Sequence, residues 1–331
     1  MPIKKRYLFL ASLFMTALLF GCSDNSNNAD DDTGSQEPVA DESSDSADSD
    51  SGRVLTDAVG HEVTIPDAPE KIIASYLEDY LVALDVTPAA QWSILDGQGL
   101  QDYLQDYLQA VPPIPYELPY ESVTSFSPDL LLISSAEAVD DGKYEQYSKI
   151  APTYVVGADN NSDWRENLLT IAEVLDLENK AQQLLASYDE KAQAAKEEIQ
   201  AAIGTDATAA ALWLVADSFF IVSENVSSGA VLYEDLGIAV PDVVKEISGD
   251  AAANWSPISL EEIATLEADH LFLINSDNAS GAEMLNDPVW QSIPAVKNGQ
   301  VYEYGPETSW LYTGPIASAQ MIDHVVESLV K

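Results

Sequence analysis

Glu121-Ser-Val-Thr-Ser-Phe-Ser-Pro-Asp-Leu-Leu-Leu-Ile133 and Glu261-Glu-Ile-Ala-Thr-Leu-Glu-Ala-Asp-His-Leu-Phe-Leu273 match in register although they lie far apart in the chain. Glu121 pairs with Glu261, Val123 with Ile263, Phe126 with Leu266, Asp129 with Asp269 and Leu131 with Leu271. Each stretch reads as a short helix with apolar residues at helical spacing, then a turn with Asp. An apolar run follows, Leu130 to Ile133 or Leu271 to Ile274, of the kind that forms a buried parallel strand. Ser259-Leu-Glu-Glu262 has the capping-box spacing that marks the start of the second helix. Further strand candidates follow both copies, Thr153 to Gly157 and Val301 to Gly305. Repeated helix–strand units of this kind imply parallel sheets covered by helices.

Between the two copies the chain reads as helix. Ser162-Asp-Trp-Arg-Glu166 begins one helix, and Glu178 to Ile203 continues with few breakers. Leu184, Tyr188, Ala192, Ala195, Ile199 and Ile203 fall on one face, and 26 residues make about 39 Å of helix. Such a helix can be a stiff strut joining two similar lobes with a cleft beside it; the alternative is an ordinary surface helix of a single domain. The expected class is α/β: two Rossmann-like lobes, each a mainly parallel sheet with flanking helices, joined by one long connecting helix. The division is an N-terminal lobe over 53–160, a helical region over 161–203 and a C-terminal lobe over 204–331.

The N-terminus carries different information. Lys4, Lys5 and Arg6 precede an apolar run from Tyr7 to Phe20, the pattern of a secretory signal and too short for a spanning helix. Leu19-Phe20-Gly21-Cys22 closes it with the chain's only cysteine, which looks like a bacterial lipobox and predicts lipidation at Cys22 after removal of residues 1–21. A lone cysteine cannot form an intrachain disulfide. Ser23 to Gly52 contains ten acidic residues and no basic one, with Val39 its only large aliphatic side chain. This stretch, 23–52, cannot bury enough apolar surface to offset ordering and is expected to be a disordered leash of roughly 30 Å mean reach. The expected location is the extracytoplasmic face of the membrane.

From Arg53 onward 11 Lys and Arg stand against 46 Asp and Glu, so 11 − 46 gives −35 out of the chain's −42. That balance excludes nucleic acid as a partner. It fits a solvating surface for saline or alkaline surroundings, or selection against polyanionic ligands. An enzyme is not expected: there is no Gly-x-Ser-x-Gly, P-loop or Gly-x-Gly-x-x-Gly after a strand. His61, His270 and His324 are too dispersed for a direct metal carrier, and no resident metal or cofactor is implied.

Six ordered matches give the chain a family resemblance. They are Thr56-Asp-Ala-Val-Gly-His-Glu-Val-Thr-Ile-Pro66, Ser127-Pro-Asp-Leu-Leu-Leu-Ile133, Tyr147-Ser-Lys-Ile-Ala-Pro-Thr153 and Ser228-Gly-Ala-Val-Leu-Tyr-Glu-Asp-Leu-Gly237. Ile293-Pro-Ala-Val-Lys-Asn-Gly299 and Ser309-Trp-Leu-Tyr-Thr-Gly-Pro315 complete the set. Over Val54 to Leu329 the chain resembles the substrate-binding lipoproteins of iron–siderophore ABC importers, the class III periplasmic-binding-protein type. The resemblance implies a monomeric protein that captures an iron(III)-siderophore, of hydroxamate or citrate-hydroxamate type, between its lobes and delivers it to a permease dimer served by an ATPase. Cobalamin, haem and catecholate-siderophore binders share the fold and are the alternatives.

A ferric hydroxamate is an oxygen-wrapped metal with apolar and amide arms, so its site needs aromatic walls and a few donors. Trp310 and Tyr312 fall after the Val301 strand, where the family's aromatic cleft residue lies; Trp92 and Tyr76 follow strand candidates Pro88 to Gln91 and Lys71 to Ser75. Trp213, within Ala209 to Val215, reads equally as core or ligand contact, while Trp255 and Trp290 read as packing. Lys143, Tyr144 and Arg165 are donor candidates, against surface solvation. Ser223 and Asn225 are substitutes for an arginine that many relatives carry before the Gly-Ala-Val-Leu-Tyr segment. In this family one acidic residue per lobe docks the permease; the matching positions are Glu121 and, one turn from the usual place, Glu234.

Overall fold

The computed structural model describes residues 52–95, 97–158, 163–249, 254–277 and 285–330. Cys22, the signal sequence and nearly all of the acidic leash lie outside the described residues.

A hairpin opens the described chain, β1 (Arg53–Thr56) antiparallel to β2 (Glu62–Ile65). Asp57 Oδ1 accepts from the amides of Val59 and His61 across its turn, and Asp57 Oδ2 accepts from Val155, which pins the hairpin to the first sheet. That sheet has the order β3-β6-β7, all parallel, from β3 (Ile72–Ile73), β6 (Leu130–Ser135) and β7 (Thr153–Gly157). A parallel bridge from Ile73 to Ala90 attaches the pair β4 (Gln91–Ser93) and β5 (Pro113–Pro115). The second sheet runs β10-β9-β8-β11-β12. Its strands β8 (Ala209–Val215), β11 (His270–Asn275) and β12 (Val301–Tyr304) are parallel, while β9 (Ser218–Val222) and β10 (Trp255–Ile258) extend it antiparallel. The fold is α/β with two lobes, and the second sheet is mixed because the Ala216-Asp217 turn folds β9 straight back on β8.

The duplicated stretches do the same work in both lobes. Asp129 accepts from the amides of Glu70 and Lys71, immediately before β3, at 2.8 and 3.0 Å. Asp269 accepts from the amide and the hydroxyl of Thr208, immediately before β8, both at 2.9 Å. In each lobe the backbone returns the contact, Asp129 N–H to Lys71 O and Asp269 N–H to Thr208 O, both at 3.1 Å. The aspartate after each short helix thus fixes the register of the neighbouring parallel strand, and it does so with charge-assisted bonds. The expected capping box is present: Ser259 Oγ accepts from Glu262 N–H, and Glu262 accepts from Ser259 N–H.

Six helices belong to the first lobe and the connection: α1 (Glu78–Ala83), α2 (Gln105–Leu108), α3 (Tyr120–Phe126), α4 (Lys143–Tyr147), α5 (Trp164–Leu175) and α6 (Glu178–Ile203). The long α6 buries Ala181, Tyr188, Ala192, Ala195 and Ile199, the face read from the sequence. Its partners are α5 and the C-terminal helix Pro315–Leu329, which also packs on α1. The small residues on the buried face of α6 let neighbouring helices approach closely, and its charged face stays wet.

Trp310 corrects a sequence expectation. It is fully buried, stacked on Phe272 at 4.9 Å and tilted against Tyr304 at 5.3 Å, inside the second lobe's core rather than in a cleft. The short turn Ser309–Leu311 directs its ring back under β11 and β12. Trp310→Ala is therefore expected to cost about 3–5 kcal/mol of stability, read as a large fall in the denaturant midpoint. A melting curve like that of the unsubstituted protein would contradict this packing.

Candidate functional site

Four aromatic side chains meet where the lobes face each other. Tyr76 comes from the segment after β3, Trp92 from the middle of β4, Tyr103 from the turn Asp102–Leu104 and Tyr312 from the segment after β12. Tyr76 meets Trp92 edge-on at 5.4 Å, and Tyr312 lies 4.9 Å from Tyr103 and 6.3 Å from Tyr76. Tyr76 holds a left-handed backbone, φ 65°, and remains 44% exposed. A bulky residue in that region is strained and must be held by its surroundings. Here the following helix α1 starts at once and turns the ring outward.

Two buried carboxylates underlie this aromatic wall. Asp79, 2% exposed, accepts from Ile316 N–H at 2.8 Å and Ala317 N–H at 2.9 Å, the first turn of the C-terminal helix. It also accepts from the Tyr103 hydroxyl at 2.9 Å. A Cβ at Gly314 would stand 2.4 Å from the Asp79 carboxyl carbon, so only glycine permits this approach. Burial pushes the Asp79 carboxyl up to about 6, held from rising further by those two amides and the Tyr103 hydroxyl. Glu78 is fully buried; its Oε1 accepts from Trp92 N–H at 2.6 Å, and its Oε2 has no partner among the described residues. Burial pushes Glu78 up to about 8 against the pull of its backbone donors.

Beside the aromatic wall lies a polar cavity of about 230 Å³, walled by the start of α5 (Asp163 to Arg165) and by Asn225 to Ser227, Glu234, Asn254 and Thr313 of the second lobe. Thr313 adjoins Tyr312, whose carbonyl accepts from the Ser227 hydroxyl at 3.3 Å, so wall and cavity are continuous. Arg165 reaches this cavity as expected, but its guanidinium is engaged: Asp235 accepts from it at 2.7 Å, and Trp164 and Tyr188 flank it at 4.5 and 5.0 Å. Burial lowers the Arg165 pKa, and the neighbouring Asp235 carboxylate more than offsets this. Asp235 also accepts from Tyr188 of α6 at 2.6 Å, so this group ties α5, α6 and the second lobe together. Glu234 lines the cavity at its exposed rim, and burial, then Asp235 and Asp163, raise its carboxyl. Asn225 lines it too; Ser223 lies just behind, 2% exposed, its amide donating to Asn254 O. Gly229 passes so close to Ser223 O that a Cβ would come within 1.9 Å, which explains the glycine in that segment.

Other candidates lie elsewhere. Tyr144 stacks on His61 at 3.6 Å and its hydroxyl donates to Thr153 O, placing it on the opening hairpin rather than in the cleft. Lys143, the first residue of α4, is exposed. Trp213 is half-buried with Phe220 and Trp255, and its indole N–H donates to Ser276 Oγ at 2.9 Å, a packing role. Trp255 and Trp290 pack as expected, Trp290 parallel to Phe219. Glu121 is exposed at the start of α3. Sequence reading missed Tyr103, Glu78, Asp79, Asp163 and Trp164. For the acids a signal existed: Leu77-Glu-Asp-Tyr-Leu-Val-Ala-Leu84 puts two adjacent carboxylates in an otherwise apolar helix.

Comparison with known proteins places this architecture. The family model described as periplasmic binding protein matches residues 102–308. The chain belongs to the periplasmic binding protein family. The Bacillus subtilis iron(3+)-hydroxamate-binding protein FhuD is 31% identical over 214 residues, 64% of this chain and 66% of that protein. The iron(3+)-hydroxamate-binding protein YxeB of the same organism is 25% identical over 283 residues, covering 81% of this chain and 83% of its own. A solved FhuD fold-family structure, a periplasmic binding protein component of a ferrichrome ABC transporter from Bacillus subtilis, superposes with a TM-score of 0.72 at 25% identity. It covers 84% of this chain and all of that one.

The buried acids of this family member give a pH prediction. Glu78 binds its proton more tightly folded, at about 8, than at its ordinary 4.5, so its contribution to stability falls as pH rises between those values. Glu78→Gln should therefore raise Tm more at about pH 8 than at about pH 5. An equal shift at both values, in a melting series across that range, would contradict a proton held on Glu78.

Proposed function

We propose that this protein captures an iron(III)-siderophore of hydroxamate type in the interlobe cleft and delivers it, without chemical turnover, to an ABC permease. The observation that carries the reading is the aromatic wall built from both lobes, Tyr76, Trp92 and Tyr103 on one side and Tyr312 on the other. Flat rings give a ferric complex contact area at low entropic cost, and a wall drawn from two lobes changes when the lobes move. The relatives named for iron(3+)-hydroxamate binding support the ligand class, and the ferrichrome transporter component supports the importer. Cys22 would be the lipid anchor on the extracytoplasmic face, followed by the acidic leash. Two acyl chains hold a soluble body at a membrane where one binds only marginally.

Tyr312→Ala should weaken binding of a ferric trihydroxamate at least about tenfold, equivalent to about 1.4 kcal/mol. Quenching of tryptophan fluorescence, with Trp92 beside Tyr76, reads the affinity. Unchanged affinity would remove Tyr312 from the site.

Permease docking through acidic residues would use Glu121 on the first lobe and Glu234 on the second. Because Glu234 also lines the cavity, the clean test is Glu121→Lys. It should impair iron uptake in cells while solution affinity holds, since a lysine facing a basic pocket is repelled. Normal uptake would reject Glu121 as a docking residue.

A further inference from the structure

Resting on the siderophore reading, we propose that the polar cavity beside the aromatic wall is a subsite for a cationic arm of the ferric complex, with Asp163 and Glu234 as its charge-reading groups. Three observations point there. Two of the residues that line the cavity carry a buried polar atom with no partner among the described residues: the indole N–H of Trp164, a residue 5% exposed, and the amide oxygen of Asn254. Buried polar groups are normally paired, so an orphan donor and an orphan acceptor among the lining residues call for a ligand that supplies both. A terminal ammonium donates to the Asn254 oxygen, and an amide or hydroxamate oxygen of the same arm accepts from Trp164.

The second observation is charge. Among the described residues, Asp163, Glu234 and Asp235 face or adjoin the cavity, and the one cation on its wall, Arg165, is already held by Asp235 at 2.7 Å. One guanidinium against three carboxylates gives these described groups a net charge of minus two. Asp163 Oδ1 accepts from Arg165 N–H as the cap of α5, so its carboxylate is fixed in place. An anionic arm would be repelled and a cationic one drawn in. The third is continuity: Thr313 and Ser227 join the cavity to Tyr312, so a complex resting on the aromatic wall reaches it with one arm.

The test compares ferrioxamine B, a linear ferric trihydroxamate ending in a primary ammonium, with its neutral N-acetylated form, titrated into the mature protein. The ammonium form should bind about fivefold tighter or more. The preference should shrink as salt rises, and the double substitution Asp163→Asn with Glu234→Gln should bring the ratio toward one. Both substitutions keep the size of the side chain and one acceptor oxygen, and the salt series on the unsubstituted protein stands independently of the variant's folding. Equal affinities for the two forms, or a ratio unmoved by salt or by the double substitution, would overturn the subsite while leaving the siderophore reading intact. Binding of neither form would overturn the siderophore reading and the subsite with it.

Discussion

The carboxylate of Asp79, buried between α1 and the first turn of the C-terminal helix, is the contact on which the arrangement of this protein depends. It joins residues 237 and 238 positions apart through two backbone amides. A negative group at a helix N-terminus satisfies donors that have no partner within the helix, and it complements the helix dipole. Its burial without a cation among the described residues costs desolvation, which is why its proton affinity rises. The same carboxylate holds the Tyr103 hydroxyl, and Tyr103 packs on Tyr312. One side chain thereby couples the packing of the terminal helix to the aromatic wall of the cleft.

A second tie runs through Arg165, Asp235 and Tyr188 and connects α5, the second lobe and the long helix α6. A partly buried, bidentate-capable arginine lying against two aromatic rings is a favourable setting for an ion pair. These polar contacts fix where the lobes meet, while the apolar faces of α6 and its neighbours supply the bulk of the burial. The chain's large negative charge is carried mainly on exposed positions and leaves this small network of paired groups inside.

The repeated stretch around Asp129 and Asp269 made the fold readable, because helix periodicity, a single aspartate and a continuous apolar strand all agreed at the same spacing. The structure gives that aspartate a reason, since each one caps the strand next door. The face of α6 was equally legible, being set by steps of three and four. The antiparallel edge of the second sheet was not, since a two-residue turn at Ala216-Asp217 carries neither glycine nor asparagine. Site residues were harder. Tyr76, Trp92, Tyr312, Arg165 and Asn225 come together, but Trp310 does not, because a single turn of tight helix inverts the direction of adjacent side chains. Tyr144 was drawn away as well, stacking on His61 of the opening hairpin. Glu78 and Asp79 escaped notice among 56 acids, since composition cannot show which carboxylates are dry.

Selection at this cleft combines a neutral aromatic surface with a polar recess whose charges are set by a few carboxylates. On the proposed reading, contact area admits many ferric complexes, and the recess selects those whose arms bring positive charge and leave no buried group unpaired. The direct measurement is a crystal of the mature protein grown with an iron-loaded trihydroxamate and phased on the iron's anomalous signal. The account predicts one iron peak between the lobes, flanked by Trp92, Tyr76 and Tyr312, with an arm in the recess beside Asp163 and Asn254. An iron peak elsewhere on the molecule, or none at saturating ligand, would contradict it.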